Sequence, residues 1–506
     1  MDENRFSFKE QVIKGSVWHF SSSIIMKIGG LIFTIILARL LLPEKYGIYS
    51  LAVSIALIFM VFTDLGTNQA VLRYIPSEMK KGKNKAASYF KFFTKLKITL
   101  LVLVSLILFL SSGFISNSIF KNPDLYKPLA ISSAYIFLYS FIVFLGSLFF
   151  SLKKGQYVVY QESLIQILRI AGLLLVPILF LPQDHVFAVF LVLAIASIIV
   201  LIFFFYLLNK NFHFLLTEDK QKIDKKRIFK FISVLGIGGV ATVFFGYIDS
   251  ILIGLFVSNT AYIGFYKSAS SIIYSFTGLF LFFRVLVPAF TQLREKDLSF
   301  SINRIFRYLM IVAIPSVFGI AILSKYIIVA FFGYEYLPGA LPLSLLSIIV
   351  ISEIGSAIFT SLFVAKEKPK IYVTLLILAT ILNIILGISL INIFLKLSEE
   401  FAIIGLAIAT LISSYFLSLF LYSAAKKNFN IQLKKSNFLK PLFASIIMAA
   451  FLYFVLNQFP DKNALVIGIL ILFSMIIYFA ILFFIKGITK QDIKDLKFFT
   501  LKNKTP

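Results

Sequence analysis

Fourteen apolar stretches, each long enough to cross a hydrocarbon slab as a helix, occupy most of this 506-residue chain. The first seven are predicted at 16–42, 46–70, 98–117, 129–151, 157–181, 186–208 and 231–257. Seven more follow at 262–290, 308–332, 339–364, 371–395, 401–425, 441–457 and 464–485. A helix rises about 1.5 Å per residue, so a slab of about 30 Å takes about 20 residues, and a backbone in lipid must satisfy its own hydrogen bonds. With 59% of residues hydrophobic and 14% charged, one soluble core could not bury the apolar surface. The reading is an all-α polytopic membrane protein.

The connectors alternate in charge. Those facing one side, together with both termini, hold 38 Lys and Arg, whereas the alternate connectors hold 5, namely Lys45, Lys121, Lys127, Lys396 and Lys462. Basic segments resist translocation, so the basic connectors and both termini are expected in the cytoplasm of a cell-membrane protein, which an even number of spans permits. The net charge of +26 is dispersed among short loops beside the membrane, which points to anionic lipid headgroups as neighbours rather than nucleic acid. The chain has no cysteine, hence no disulfide framework and no thiol chemistry. Its polar start before a long first span does not resemble a cleaved signal peptide, so the first helix is expected to stay.

Short matches recur at one spacing. Gly47-Ile48-Tyr49 with Ala52 matches Gly264-Phe265-Tyr266 with Ala269, and Lys210-Asn211-Phe212 matches Lys427-Asn428-Phe429, both 217 residues apart. The Phe150 to Tyr157 turn matches Phe363 to Tyr372 at a similar offset. A duplicated unit of six spans gives two halves in the same orientation, related by an axis along the membrane normal, with a cleft between them. The expected division is 1–215 and 216–430 for two six-helix lobes around a central cavity, and 431–506 for two further spans and a basic tail.

Six basic residues, Lys27, Arg39, Arg169, Lys267, Arg284 and Lys325, and four acids, Asp64, Glu162, Asp249 and Glu353, fall within the spans. A charge at the bilayer centre costs at least about 2.5 kcal/mol, so these side chains are expected to face protein or water. Arg39, Lys325 and Arg284 lie near span ends, where snorkelling also accounts for them. Lys27, Asp249 and Lys267 lie deeper and are read as cavity residues, although an Asp249–Lys267 ion pair would serve structure alone. Asp64, with Gly66, Asn68, Gln69 and Arg73, forms a polar cluster that reads equally as a helix cap. Glu162 and Arg169, seven apart on one face, read as a structural or gating pair. The surplus of cations over acids suits an anionic ligand such as phosphate or pyrophosphate.

The segment Ala38-Arg39-Leu40-Leu41-Leu42-Pro43-Glu44-Lys45-Tyr46-Gly47-Ile48-Tyr49-Ser50 resembles the first-loop signature of Wzx-type polysaccharide flippases, which move lipid-linked oligosaccharides. Lys14-Gly15-Ser16, Ser23 to Gly29, Asp64-Leu65-Gly66 with Arg73-Tyr74, and Tyr247-Ile248-Asp249 with Leu252-Ile253-Gly254 resemble the flanking helices and the seventh helix of that family. The family's Gly before Pro43 is replaced by Leu42, a departure expected to matter little. The resemblance implies membership in the multidrug/oligosaccharidyl-lipid/polysaccharide exporter superfamily, with a cavity lined by spans one, two, seven and eight. Those spans carry Lys27, Arg39, Asp64, Asp249, Lys267 and Arg284, with Arg73 just beyond span two. By the same analogy a polyprenyl tail would run in lipid or along a groove near spans thirteen and fourteen.

The function that follows is alternating-access translocation of a polyprenyl-phosphate- or pyrophosphate-linked oligosaccharide for cell-surface glycan synthesis, beside glycan-assembly enzymes as partners. No cofactor is expected beyond coupling to H+ or Na+, with Asp64, Asp249 or Glu353 as ion sites and no metal site. The alternatives are a drug or cation antiporter, a peptidoglycan-precursor flippase and, from another class, a membrane glycosyltransferase or polymerase. The last would need a site constellation that the short connectors and scattered His19, His185 and His213 do not supply.

Overall fold

The computed structural model describes residues 2–216, 221, 223–279, 295–458 and 464–488. Helices account for the regular structure among them, and no strand occurs. Eleven described segments are long and apolar enough to cross a membrane, twelve when the bent pair Tyr334–Ser347 and Ile349–Ala365 is one span. The first, Ser21–Met79, runs for 59 residues and takes in the second expected span and all but the first turn or so of the first. Ala261–Leu279 is the described part of span eight. Each of the fourteen expected spans thus has a helix at its position.

The break between spans one and two is local chemistry. Pro43 disfavours helical geometry at the residue before it, and Leu42 leaves the helix at φ 61, ψ 167. That region belongs almost wholly to glycine and costs a side-chain-bearing residue about 1–3 kcal/mol. The replacement of Gly by Leu42 is therefore accommodated at a cost in backbone strain. Leu42 is 52% exposed, so its side chain contributes little packing. Leu42→Gly is expected to stabilise the protein by about 1 kcal/mol after the entropy cost of glycine, read as a higher melting midpoint of the full chain in detergent. An unchanged or lower midpoint would show that the strain is not there.

The two halves pair their helices alike. Span one packs on five, three on four, four on six and five on six; seven on eleven, nine on ten, ten on twelve and eleven on twelve repeat the pattern. Details repeat too. Lys153 (φ 60) and Glu367 (φ 56) turn the chain at equivalent places, and Phe149 and Phe363 carbonyls accept from Lys154 N and Lys368 N, each at 2.8 Å. Ser88 Oγ accepts from Gln221 N at 3.1 Å and Ser299 Oγ from Gln432 N at 3.4 Å. Span thirteen (Ser436–Gln458) packs on span nine (Glu295–Phe332), and span fourteen packs on thirteen.

Spans one and two meet spans eight and seven across the seam between the halves. At the charge-poor face the contact is reciprocal. A Cβ on Gly47 would collide with the Thr260 carbonyl, and one on Gly264 with the Pro43 carbonyl, so only glycine lets these backbones touch. At the basic face, Gly236 abuts the Leu65 carbonyl and Gly66 the Ile232 carbonyl, each 2.9 Å from an added Cβ. One continuous core joins the charge-poor ends of spans one and two (Leu37, Leu41, Leu51) to the second half (Ile253, Leu309, Phe363). A separate core (Phe90, Phe144, Phe149, Phe204) fills the basic end of the first half and reaches span seven through Ile228 and Ile232.

Candidate functional site

Asp249 is the most completely wired of the expected residues. It sits about two turns from the charge-poor end of span seven (Lys225–Phe256), 4% exposed, among three other helices. Its Oδ2 accepts from Tyr266 Oη of span eight at 2.6 Å and Thr410 Oγ1 of span twelve at 3.0 Å. Its Oδ1 accepts from Asn383 Nδ2 of span eleven at 3.2 Å. Three donors thus converge on one buried carboxylate. The Oδ1 of Asn383 is buried with no hydrogen-bond partner among the described residues, which leaves an oxygen acceptor beside the carboxylate. Such an oxygen-rich pocket within the span can hold a proton or a small hard cation.

Lys267 does not form the ion pair with Asp249 that would have served structure alone; its neighbour Tyr266 takes the carboxylate instead. The Lys267 ammonium lies 5.0 Å above the Tyr247 ring, a cation–π contact that bridges spans eight and seven, and remains within electrostatic reach of Asp249. Lys27 lies along span eight, its aliphatic stem against Gly278, where an added Cβ would be 2.7 Å from Lys27 Cδ. Thus Lys27 and Lys267 stand at the seam, whereas Asp249 is enclosed by four helices of the second half. Glu353, half-buried on span ten, interacts electrostatically with Tyr274 of span eight.

Other candidates have local duties. Arg39 is exposed and donates from Nε to the Phe331 carbonyl at 2.8 Å and from Nη2 to the Ala330 carbonyl at 2.6 Å. It thereby caps the orphan carbonyls at the end of span nine. Asp64 Oδ1 accepts from Thr67 Oγ1 and Asn68 N, each at 2.9 Å, capping Thr67–Met79 after the break at Leu65 and Gly66. Arg73 is exposed and stacks 4.5 Å over Phe231 of span seven, at the basic rim of the seam. Arg284 lies outside the described residues. Glu162 and Arg169 make no direct ion pair: Glu162 Oε1 accepts from Gln161 Nε2 at 3.3 Å, and Arg169 stacks 4.6 Å over Phe33 of span one.

One buried cation escaped the sequence reading, which assigned Lys97 to a connector. It is 0% exposed within Lys83–Phe114, and its Nζ donates to the Thr63 carbonyl at 3.1 Å, where span two is about to break. The signal was present: Phe93, Lys97, Leu101, Val104 and Leu108 share one helical face, and all are buried.

An apolar groove of 370 Å³ runs between spans eight, nine, thirteen and fourteen, lined by Ile272, Phe276, Pro315, Met448, Leu452 and Tyr478. Tyr478 Oη donates to the Ile311 carbonyl at 2.7 Å, so the groove presents almost no polar group to a chain lying in it.

Residues 12–294 match the family described as polysaccharide biosynthesis protein. An uncharacterized membrane protein of Methanocaldococcus jannaschii is 22% identical over 436 residues, which are 82% of this chain and 84% of that protein. Among solved structures, a lipid II flippase MurJ in an inward closed conformation superposes with a TM-score of 0.73 at 19% identity, covering 93% of this chain and 98% of its own. An inward-facing multidrug resistance transporter of the MATE family gives 0.56 at 13% identity, covering 82% of this chain and 96% of its own. At these identities the superpositions establish the fold, a multi-span helical one.

Proposed function

Because the chain belongs to the polysaccharide biosynthesis protein family, we propose that it is a flippase that moves a polyprenyl-phosphate- or pyrophosphate-linked oligosaccharide between membrane leaflets. The observation that carries this reading is the placing of Lys27 and Lys267 at the seam between the halves, with Asp249 buried just behind it in the second half. Charges kept there, at a cost that lipid would make prohibitive, equip a polar passage for a headgroup whose hydroxyls and phosphate cannot cross hydrocarbon bare. The lobes 1–215 and 216–430 rock about the seam, and the 431–506 appendage follows span nine.

In this scheme the basic face is cytoplasmic, and glycan-assembly enzymes deliver the substrate there. The cations of the seam hold the phosphate, and the 370 Å³ groove beside spans thirteen and fourteen receives the isoprenoid tail. Entry of H+ or Na+ at Asp249 drives the cycle: neutralising this carboxylate changes how tightly spans seven, eight, eleven and twelve are held together. The protein acts as a transporter and not as an enzyme.

Purified protein in liposomes loaded with a fluorescent polyprenyl-diphosphate-linked oligosaccharide is expected to expose the glycan to an impermeant glycosidase well above protein-free vesicles. Equal exposure in both would overturn the reading.

A further inference from the structure

The seam holds a second group of polar side chains, contributed by spans two, four, five and seven. Arg169 of span five (Gly155–Leu179) lays its guanidinium on the Phe33 ring, and its Nε is buried with no hydrogen-bond partner. Gly30 of span one lies beside it, where a Cβ would stand 3.5 Å from Arg169 Nη2. Tyr49, Tyr135, Tyr139 and the Glu162 carboxylate lie within electrostatic reach of this guanidinium, and Tyr247 of the other half lies within reach of all three tyrosines. Tyr135 and Tyr139 stack as a pair, centroids 5.4 Å apart and 19° from parallel. None of these four hydroxyls is hydrogen-bonded to a described residue, and none is sealed from open space.

A guanidinium without a direct ion pair and four unbonded hydroxyls would be a heavy penalty in a dry interior. Their convergence from both halves makes chemical sense if they meet a ligand. Aromatic faces take the C–H side of a pyranose, phenol hydroxyls bond its ring substituents, and a guanidinium with free N–H edges takes an oxyanion in bidentate fashion. Lys267, already on Tyr247 and near Asp249, is less available for that purpose.

We propose that Arg169 with Tyr49, Tyr135, Tyr139 and Tyr247 forms a saccharide subsite that recognises a sugar ring next to an oxyanion, distinct from the cation site at Asp249. This rests on the flippase reading. The oxyanion is either the linking phosphate or a carboxylate on an acidic sugar, and two probes separate them: farnesyl phosphate and trigalacturonate, both radiolabelled, on the full chain in lipid nanodiscs.

Wild type is expected to bind at least one probe, and Arg169→Gln to bind that probe at least tenfold more weakly. Arg169→Lys should recover part of the loss, because charge returns without the bidentate fork. Loss of farnesyl phosphate binding alone identifies the phosphate, and loss of trigalacturonate alone the acidic sugar. Lys127→Gln, in an exposed pair with Asp184 at the charge-poor face, should bind as wild type does. Should Arg169→Gln not fold, Tyr135→Phe with Tyr139→Phe removes two hydroxyls without altering shape, and at least threefold weaker binding is expected. Unchanged affinity in a folded Arg169→Gln protein, or in the double Phe variant if it alone folds, overturns the subsite and leaves the flippase reading intact. Failure of wild type to bind either probe counts against both.

Discussion

Asp249→Asn is expected to abolish gradient-driven transport, by about 100-fold or more, while leaving the protein folded. The substitution is nearly isosteric. Tyr266 Oη and Thr410 Oγ1 still find an acceptor in the remaining oxygen, and the new amide N–H faces Asn383, whose Oδ1 has no present partner and can turn to accept it. What disappears is the charge. A hydrogen bond or ligand contact to a charged group is worth about 1.5–3 kcal/mol more than none, and loss of such terms in a cation site amounts to about 100-fold in occupancy. Transport into liposomes with and without an imposed H+ or Na+ gradient, alongside a melting curve, measures both sides. If Asp249→Asn responds to the gradient as wild type does, the cation does not enter there, and Glu353 becomes the residue to test.

Gly264→Leu is expected to reduce transport to the background of protein-free vesicles for a different reason. The charge-poor face closes because Gly264 rests on the Pro43 carbonyl while Gly47 rests on the Thr260 carbonyl, with Thr260 Oγ1 donating to the Glu44 carbonyl at 3.2 Å. A leucine has nowhere to go: the obstacle is main chain on both sides, which cannot rotate away as a side chain would. The variant should therefore hold this face open. Ser50 is 5% exposed and lies behind the contact, so a Ser50→Cys reporter should react slowly with an impermeant maleimide in an otherwise unchanged chain and quickly when combined with Gly264→Leu. With no native cysteine in the chain, the label is unambiguous. Normal transport by a folded Gly264→Leu protein would mean that the reciprocal glycine contact is not a gate.

The same pair of glycines shows what was legible beforehand. Gly47 and Gly264 emerged from the sequence as equivalent positions in a repeat, which was correct about the duplication and silent about its purpose. Their equivalence is a property of local order along the chain; that each lies on the other half's backbone is a property of how two lobes meet. Asp249 was similarly visible as a charge too deep in an apolar span to be accidental. Its partners were not, because Tyr266, Asn383 and Thr410 are ordinary residues in three separate helices, and nothing in their own neighbourhoods marks them. Lys97 was misassigned for the opposite reason: it adjoins a run of lysines, and composition outweighed the helical face on which it lies.

Sequence alone determined the solvent, the number of crossings and the repeat, because each depends on features that act one helix at a time: length against bilayer thickness, hydropathy, and order along the chain. Only the tertiary structure decided the duties of the intramembrane charges. It turned Arg39 and Asp64 into caps, separated Lys267 from Asp249 and left Arg169 facing tyrosines, since such pairings require side chains from helices far apart in the chain to arrive at the same few ångströms.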